Sequence, residues 1–277
     1  MVYRWRCRHC AFSSWAASRE QAADSVKSHL FAHNTQNVRQ QDFSYRWSCP
    51  YCSADGHKHD RDQVVVEFRD HLFDHAESQL HPDVHLADDI NQTGSILIKA
   101  PLESTGADGA RIHLLTPANV YIFVTREPQK RVELIRDEFP QWPAATIIIT
   151  TKSQPLSDVD GIDLESLPLE VVHLNKRLGL DSLGETVSRV LSEHESAGKI
   201  SLEFDILSEI ITKFDVQDAL RFLQGFTSRC KRSNVLSHYY VNPTAQSDSV
   251  MNVLEQLFDM QIEATGLVFE SPTGSVP

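Results

Sequence analysis

The chain has 277 residues, with 26 Lys and Arg against 38 Asp and Glu, so its formal net charge at pH 7 is -12. This length exceeds that of one typical domain and predicts at least two units. No apolar run approaches the roughly twenty residues that a membrane helix needs, and no apolar signal segment precedes the first cysteine. We therefore expect a cytoplasmic chain with no membrane partner, and composition leaves its oligomeric state open.

A pair of cysteines followed by a pair of histidines occurs twice, with a shift of 42 residues from Cys7 to Cys49. A two-residue gap between cysteines lets a tight turn aim both thiolates at one ion, and histidines four positions apart share one face of a helix. The sequence thus predicts two structural Zn²⁺ sites, each with a full set of protein ligands, which excludes a zinc hydrolase. The predicted ligands are Cys7, Cys10, His29 and His33 in the first site, and Cys49, Cys52, His71 and His75 in the second.

The repeat extends beyond the ligands. The residues Tyr3-Arg4-Trp5-Arg6 before the first cysteine are echoed by Tyr45-Arg46-Trp47-Ser48, and the aromatic residues beside the histidines recur as well. We interpret the whole unit as duplicated. Four other histidines could compete as ligands, but the repeat selects His71 and His75. We expect these four to be solvated, together with His9 between the first two cysteines; they are His57, His59, His81 and His85.

Over roughly residues 1 to 78 this pattern resembles the Cys2His2 zinc-finger family. The resemblance implies small ββα units that commonly bind nucleic acid through side chains at the start of the helix. Two features depart from the DNA-reading form. Eighteen residues rather than about twelve separate the Cys pair from the His pair, which leaves room for a longer hairpin or an extra helical turn. The stretch from Asn34 to Ser48 lacks a short basic linker of the kind that places adjacent fingers in one groove of DNA. We therefore do not expect these fingers to contact three successive bases each, as DNA-reading fingers do.

One basic and aromatic patch is the candidate nucleic-acid-binding surface. Its arginines could grip phosphates and its tryptophans could stack on bases. The alternative is that the tryptophans pack against their own finger helices. Residues 1–81 carry ten basic and ten acidic side chains, and this neutral balance argues against DNA. The partner, nucleic acid or protein, stays undecided. The patch consists of Arg4, Trp5, Arg6, Arg8, Arg46 and Trp47.

After a boundary between about residues 78 and 94, short apolar runs alternate with amphipathic stretches. This alternation is typical of a βαβ-built sheet, mainly parallel and covered by helices on both faces. The predicted strands are 96–98, 112–115, 120–124, 145–150, 169–174, 200–204, 235–241 and 267–269. The predicted helices are 130–138, 183–195, 216–230 and 250–260.

The order of motifs from about residue 110 to 270 resembles an uncharacterised haloarchaeal family of RecA-like domains. An apolar strand, 200–204, ends in Asp205 and is placed like the second conserved strand of a RecA-type nucleotide-binding fold. Ala219-Leu220-Arg221-Phe222-Leu223, His238-Tyr239-Tyr240-Val241 and Val253-Leu254-Glu255-Gln256-Leu257 follow it. The resemblance implies a RecA-like sheet and a nucleotide site near Asp205. The predicted fold class is therefore α/β, with a mainly parallel RecA-like sheet, helices on both faces, and two small ββα-type fingers before it.

The departure from RecA-type enzymes is the missing P-loop. Such a loop needs a Gly-rich turn that ends in Gly-Lys-Ser/Thr, and no such string occurs. The Gly-containing residues 105–110 are predicted as a hairpin turn. Without phosphate-bound magnesium to hold, Asp205 is interpreted by default as a helix cap. No nucleophile elbow occurs either, and His238 is expected to be a hydrogen-bonded core residue or a strand-end residue rather than a ligand. We expect no enzymatic activity.

These observations divide the chain into finger 1 (1–38), finger 2 (39–80), a linker with the first strand (81–109), a degenerate RecA-like domain (110–270) and a tail (271–277). The expected function is that of a non-enzymatic zinc-binding regulatory or adaptor protein. Its fingers bind nucleic acid or a protein, and its pseudo-ATPase domain supplies a second interaction surface. The alternative is a nucleotide-binding sensor or ATPase that uses the RecA-like domain.

Overall fold

The computed structural model describes residues 2–101, 104–157, 159, 161, 163–175, 177 and 179–271. The chain forms two compact units. The first consists of Met1–His85 together with Leu267–Pro277, and the second of Leu86–Gly266. Apart from Ser271, the expected tail lies outside the described residues.

The first unit contains two copies of one small ββα fold. The copies agree in the pairing of their strands, because Tyr3 lies opposite Ala16 in the first hairpin and Tyr45 lies opposite Lys58 in the second. The same 42-residue shift thus relates ligands, strands and helices. The elements of this part are β1 (Tyr3–Arg6), β2 (Ser13–Ala16), α1 (Arg19–Asn34), β3 (Val38–Gln41), β4 (Ser44–Ser48), β5 (Asp55–Lys58), α2 (Arg61–Asp74) and β6 (His81–Pro82).

Both finger helices begin at a capping side chain. The Ser18 side chain accepts a hydrogen bond from the backbone N–H of Gln21, and Asp60 accepts one from the backbone N–H of Gln63. Such a cap satisfies an amide that has no partner within the helix and contributes about 1 kcal/mol. The repeat therefore keeps the capping role although the residue type differs.

The two fingers share one hydrophobic core. The rings of Phe31 in α1 and Phe68 in α2 meet edge to face at 6.4 Å between centroids. An ion pair of 2.7 Å joins Lys27 of α1 to Asp70 of α2. The two predicted fingers, residues 1–38 and 39–80, consequently lie in one compact unit. The shared core includes Trp5, Val26, Leu30, Trp47, Phe68 and Leu72.

The second unit is an α/β sandwich. Among its described residues, seven strands pair in the order β10-β9-β8-β11-β12-β7-β13, and each of these pairs is parallel. Its elements are β7 (Gly94–Lys99), α3 (Thr105–Leu115), β8 (Val120–Val124), α4 (Pro128–Glu138), β9 (Ala145–Thr150), β10 (Leu169–His173), α5 (Leu180–His194), β11 (Ile200–Phe204), α6 (Leu207–Lys213), α7 (Val216–Arg232), β12 (Leu236–Val241), α8 (Asp248–Glu255) and β13 (Met260–Thr265).

Helices cover both faces of this sheet. In β8, Ile122 belongs to a core that includes Val187 of α5 and Leu223 of α7. The neighbouring Phe123 points to the opposite face and packs in a core that includes Val132 of α4. Because both faces are buried, the strands are apolar along their whole length rather than alternating. The predicted α/β class with a mainly parallel sheet is confirmed.

The predicted strand 112–115 and the predicted hairpin turn 105–110 are wrong, since both stretches belong to helix α3. The helix begins at Ser104, whose side chain accepts a hydrogen bond from the backbone N–H of Ala107. A Cβ on Gly106 would lie 2.4 Å from the backbone oxygen of Ala264 in β13. The glycine that indicated a turn instead permits close packing of a helix on a strand.

The end of the chain also differs from expectation. The helix predicted at 250–260 ends at Glu255, and the unpredicted strand β13 begins at Met260. The strand predicted at 267–269 exists as β14 (Val268–Glu270), but it pairs antiparallel with β2 in the first unit. Strand β6, which we assigned to the linker, pairs antiparallel with β1. Both segments thus complete the sheet of finger 1.

Candidate metal centres

Four potential ligands converge in finger 1. Cys7 and Cys10 lie in the turn between β1 and β2, and His29 and His33 lie one helical turn apart in α1. Cys7 Sγ is 3.7 Å from His33 Nε2, and Cys10 Sγ is 3.4 Å from His29 Nε2. The two Nε2 atoms are 3.0 Å apart. Helix α1 passes through almost three turns before it reaches His29, so the long Cys-to-His gap is taken up largely by helix.

Finger 2 repeats this arrangement. Cys49 Sγ is 3.5 Å from His75 Nε2, Cys52 Sγ is 3.3 Å from His71 Nε2, and the two Nε2 atoms are 3.2 Å apart. In each quartet all four ligand atoms lie within 4.8 Å of one another. These are the quartets that the spacing predicted, and each could hold one metal ion.

The interatomic distances agree with a tetrahedral zinc shell. Zn–S bonds of about 2.3 Å and Zn–N bonds of about 2.0–2.1 Å place S and N roughly 3.6 Å apart and two N atoms roughly 3.3 Å apart. The shortest S–N distances, 3.3–3.7 Å, and the N–N distances, 3.0–3.2 Å, lie close to these values. Two thiolates with two imidazoles form a donor set that suits Zn²⁺ well.

Backbone hydrogen bonds hold both cysteine turns in the same conformation. The N–H of His9 donates to Cys7 Sγ at 3.3 Å, and the N–H of Tyr51 donates to Cys49 Sγ at 3.3 Å. The N–H of each first cysteine in turn donates to a carbonyl across the hairpin, at 2.9 Å in both fingers. The N–H groups of His9 and Tyr51 are oriented to stabilise the negative charge of a metal-bound thiolate.

The protonation state of His29 suits metal binding. Burial, assisted by the neighbouring His33, lowers the pKa of His29 to about 4, so its ring is neutral at pH 7. A neutral imidazole is the form that coordinates metal. Burial raises the pKa of the Cys10 and Cys49 thiols in the absence of an ion. A bound cation reverses this effect because coordination deprotonates the thiol.

The remaining cysteine and histidines lie outside the quartets. Cys230 is buried in the second unit, and burial raises its pKa to about 12, as befits a small core residue. Neither quartet includes His57, His59, His81 or His85. His59 Nδ1 lies 3.2 Å from the backbone oxygen of Phe43.

The structure does not present the two tryptophans of the basic patch for base stacking. Trp5 is 1% exposed and Trp47 is 4% exposed. Trp47 stacks on Phe68 at 5.1 Å between centroids, and the edge of Trp5 meets the ring of His29 at 5.8 Å. The alternative, in which they pack against their finger helices, is correct. Both indole rings are therefore buried within the fingers and are not exposed for stacking on bases.

The arginines of the patch differ in their surroundings. Arg46 is exposed and forms an ion pair with Asp55 at 2.7 Å. Arg4 lies half-buried on β1, opposite His81. Arg6 and Arg8 are exposed on either side of Cys7. Nucleic-acid binding by this patch thus stays a prediction for its arginines alone.

In the second unit, Asp205 directly follows β11 and is buried. Its Oδ2 accepts hydrogen bonds from Thr125 Oγ1 at 2.5 Å and from Arg131 Nη2 at 2.7 Å. The interpretation as a helix cap is wrong, because the cap residue of α6 is Ile206, whose side chain makes no capping hydrogen bond. Asp205 is instead one end of a buried ionic cluster.

Two buried arginines hold this cluster together. Glu203 Oε1 accepts from Arg111 Nε at 2.9 Å and from Arg131 Nε at 2.6 Å. Burial by itself would raise the pKa of Glu203, but Arg131 and Arg111 lower it. Burial raises the pKa of Asp205, although the positive charge of Arg131 acts to lower it. Removal of one partner would leave a buried charge uncompensated, which costs several kcal/mol.

Residues 93–264 match the sequence profile of a family of unknown function (DUF7504), over more than half of the chain. The chain belongs to this family. The matched residues lie within the second unit, hereafter the DUF7504 domain. A search among curated proteins finds no match.

Two solved structures from Pyrococcus horikoshii are similar to the chain. One comes from a structural study of a protein of strain OT3; it is 13% identical, covers 63% of this chain and 82% of its own, and has a TM-score of 0.40. The other is an uncharacterized protein in complex with an unknown peptide; it is 14% identical, covers 62% of this chain and 77% of its own, and has a TM-score of 0.43.

Within the described residues, every helix is too short or too polar to cross a membrane.

A cavity of about 680 Å³ lies at the carboxyl ends of β8 and β11 in the DUF7504 domain. The chain after β8 leads to β9 on one side, whereas the chain after β11 leads to β12 on the other. Ligands of open α/β sheets bind at such a topological switch point. Three acidic residues of the cavity are already paired with arginines: Asp108 with Arg111, Asp205 with Arg131 and Glu209 with Arg126.

Proposed function

We propose that the chain is a non-enzymatic zinc-binding regulatory or adaptor protein. Two structural zinc ions hold the first unit together, and this unit binds a nucleic acid or a protein. The two Cys2His2 quartets carry the proposal, because each brings four donor atoms within 4.8 Å. Four protein ligands leave no open position for a catalytic water.

The size of the finger pair explains why it would need metal. A module this small buries too little apolar surface for a secure fold, and a structural zinc ion supplies on the order of 10 kcal/mol. The ligands are attached to the shared core, since Cys7 is itself a member of it and Trp5 contacts His29. Metal binding would therefore stabilise both fingers together.

The absence of enzymatic activity is proposed from the state of Asp205. Arg131 and Thr125 already occupy its Oδ2, so a magnesium ion would have to displace them. The residues that follow β7 contain no Lys that could hold a phosphate, and Gly106 is explained by contact with β13. If the domain is RecA-like, these features support a pseudo-ATPase.

Zinc content of the purified full-length protein tests the metal assignment. We expect two zinc ions per chain, about one in Cys49→Ser, and two in Cys230→Ala, which removes a thiol outside both quartets. A His71→Cys variant should keep two ions, because a Cys3His shell also binds zinc. Two ions in Cys49→Ser, or none in the unmodified protein, would contradict the assignment.

A nucleotide-binding sensor or ATPase is the second candidate. It is favoured by the 680 Å³ cavity at the topological switch point, which Asp205 lines. Equilibrium dialysis with labelled ATP and magnesium separates the two candidates. Binding that is lost in Asp205→Asn would favour the sensor, whereas no binding at millimolar ATP would favour the adaptor.

We propose the cytoplasm as the compartment. All five cysteines are free thiols, and four of them belong to the quartets. Reducing conditions keep such thiols available for zinc.

A further inference from the structure

Two residues at the same position of the repeat face each other across the two fingers. His9 and Tyr51 each lie between the two cysteines of their finger, 42 residues apart. Their rings stack at 6.4 Å between centroids with an interplanar angle of 17°. Each ring also approaches a predicted ligand of its own finger, His33 at 6.1 Å and His75 at 5.7 Å. The two cysteine turns thus form one continuous surface.

A cavity of about 230 Å³ opens beside this ring pair. Its buried lining includes Leu30 and Leu72, which are again equivalent in the repeat, together with Trp5, Ala76 and the predicted metal ligand Cys7. Its exposed lining residues include Arg8, His9 and Tyr51. A cavity of roughly 150 Å³ accommodates benzene, and drug-sized ligands need roughly 300 Å³ or more. The space therefore suits one flat ring system with an apolar floor and a polar rim.

Two arginines at or near the rim of this cavity have no ion-pair partner in the described part of the unit. Among the described residues, Arg6 and Arg8 form no ion pair, whereas the exposed Arg19 and Arg46 are paired with Glu77 and Asp55. Arg8 lines the cavity, and Arg6 lies two positions before it. An anionic group next to the ring that fills the cavity would supply the missing counter-charge.

We propose that this cavity takes one unpaired base of a single-stranded nucleic acid. The base stacks beside Tyr51 and His9 over the apolar floor, and Arg8, with Arg6 nearby, contacts the adjacent phosphate. This inference rests on the proposed function and specifies its partner. An aromatic side chain of a protein would fill the floor but leave the two arginines without an anion. Bases within a duplex are stacked and paired, so they cannot enter.

Fluorescence anisotropy of the full-length, zinc-loaded protein tests the inference. The probes are labelled oligothymidylate and oligouridylate of about fifteen nucleotides, enough for one site, and a duplex of equal length. We expect both single strands to bind more tightly than the duplex. Tyr51→Ala should weaken binding about tenfold, whereas Tyr51→Phe should retain it, because stacking needs the ring and not the hydroxyl.

The salt dependence of binding tests the proposed contact between Arg8 and a phosphate. Arg8→Gln should weaken binding and make the slope of log K against log salt shallower by about 0.7, the value for one phosphate contact on a single strand. Arg39→Gln is the matched control, since Arg39 is exposed on β3 and does not line the cavity. Its affinity and salt slope should equal those of the unmodified protein.

Three results would overturn the inference: no binding of either single strand, tighter binding of the duplex, or equal losses in Arg8→Gln and Arg39→Gln. Zinc content is measured on the same samples. If the protein contains two zinc ions but binds no single strand, only the proposal of a base-binding cavity is overturned. If zinc is missing from the protein, the proposed metal sites themselves are contradicted.

Discussion

At the scale of single residues, His238 shows how the surroundings determine the state of a side chain. It has no exposed surface in β12. Its Nε2 lies 3.1 Å from Ser201 Oγ, and its Nδ1 lies 2.9 Å from the hydroxyl of Tyr240. Glu203, on the neighbouring strand, lies opposite it. The expectation of a hydrogen-bonded core histidine is confirmed.

His238 makes the stability of the DUF7504 domain dependent on pH. Burial lowers its pKa to about 4 from 6.5. The unfolded chain therefore binds this proton first as pH falls, so the stabilisation is complete above pH 6.5 and is lost between pH 6.5 and 4. The loss amounts to roughly 3 kcal/mol.

Hydrogen exchange of the β11 and β12 amides at several pH values, corrected for intrinsic rates, measures this loss. His238→Gln should show a flatter dependence between pH 6.5 and 4, whatever its stability at pH 7. Equal slopes in the two proteins would exclude His238 as the cause.

At the scale of elements, helix α3 shows why local pattern alone was insufficient. Residues 105–110 contain two glycines, which are unfavourable within a helix by about 1 kcal/mol each relative to Ala. The helix forms because Ser104 caps it and because Ala110, Leu114 and Leu115 are buried. Tertiary packing thus outweighs the local preference.

Two glycine substitutions in helices should have opposite effects. Gly225→Ala in α7 should stabilise the DUF7504 domain by about 0.5–1 kcal/mol, because a Cβ there meets no atom within 4 Å. Gly106→Ala in α3 should destabilise it by more than that gain, because its Cβ would lie 2.4 Å from the backbone oxygen of Ala264. Urea unfolding of both variants checks the signs. A stabilising Gly106→Ala would show that β13 is free to move away.

At the scale of the whole molecule, sequence order and unit membership do not coincide. The first unit combines the N-terminal fingers with β14, which pairs with β2. The Ser25 hydroxyl fixes this strand further by donating to Glu270 Oε1 at 2.6 Å. The DUF7504 domain is built from the residues between.

Removal of zinc should unfold the first unit and spare the second. With a strong chelator, we expect amide protection to disappear in α1, α2 and β14, because their shared packing depends on the two metal sites. Protection in β8 and β11 should persist, since their cores contain no metal ligand. Hydrogen exchange with and without chelator, followed by zinc addition, measures both outcomes. Simultaneous loss of protection in both units would show that they do not fold independently.

The sequence by itself determined what depends on short separations. The ligand quartets were predictable because a two-residue gap and an i, i+4 pair set their geometry locally. Strands such as Val120–Val124 and Ile200–Phe204 were predictable because continuous apolar runs indicate burial on both faces.

Only the tertiary structure decided which distant residues meet. It buried Trp5 and Trp47, paired His9 with Tyr51, joined β14 to β2, and engaged Asp205 with Arg131. Each of these contacts joins segments far apart in the chain, and hydrophobic periodicity records which face of an element is buried but not what covers it.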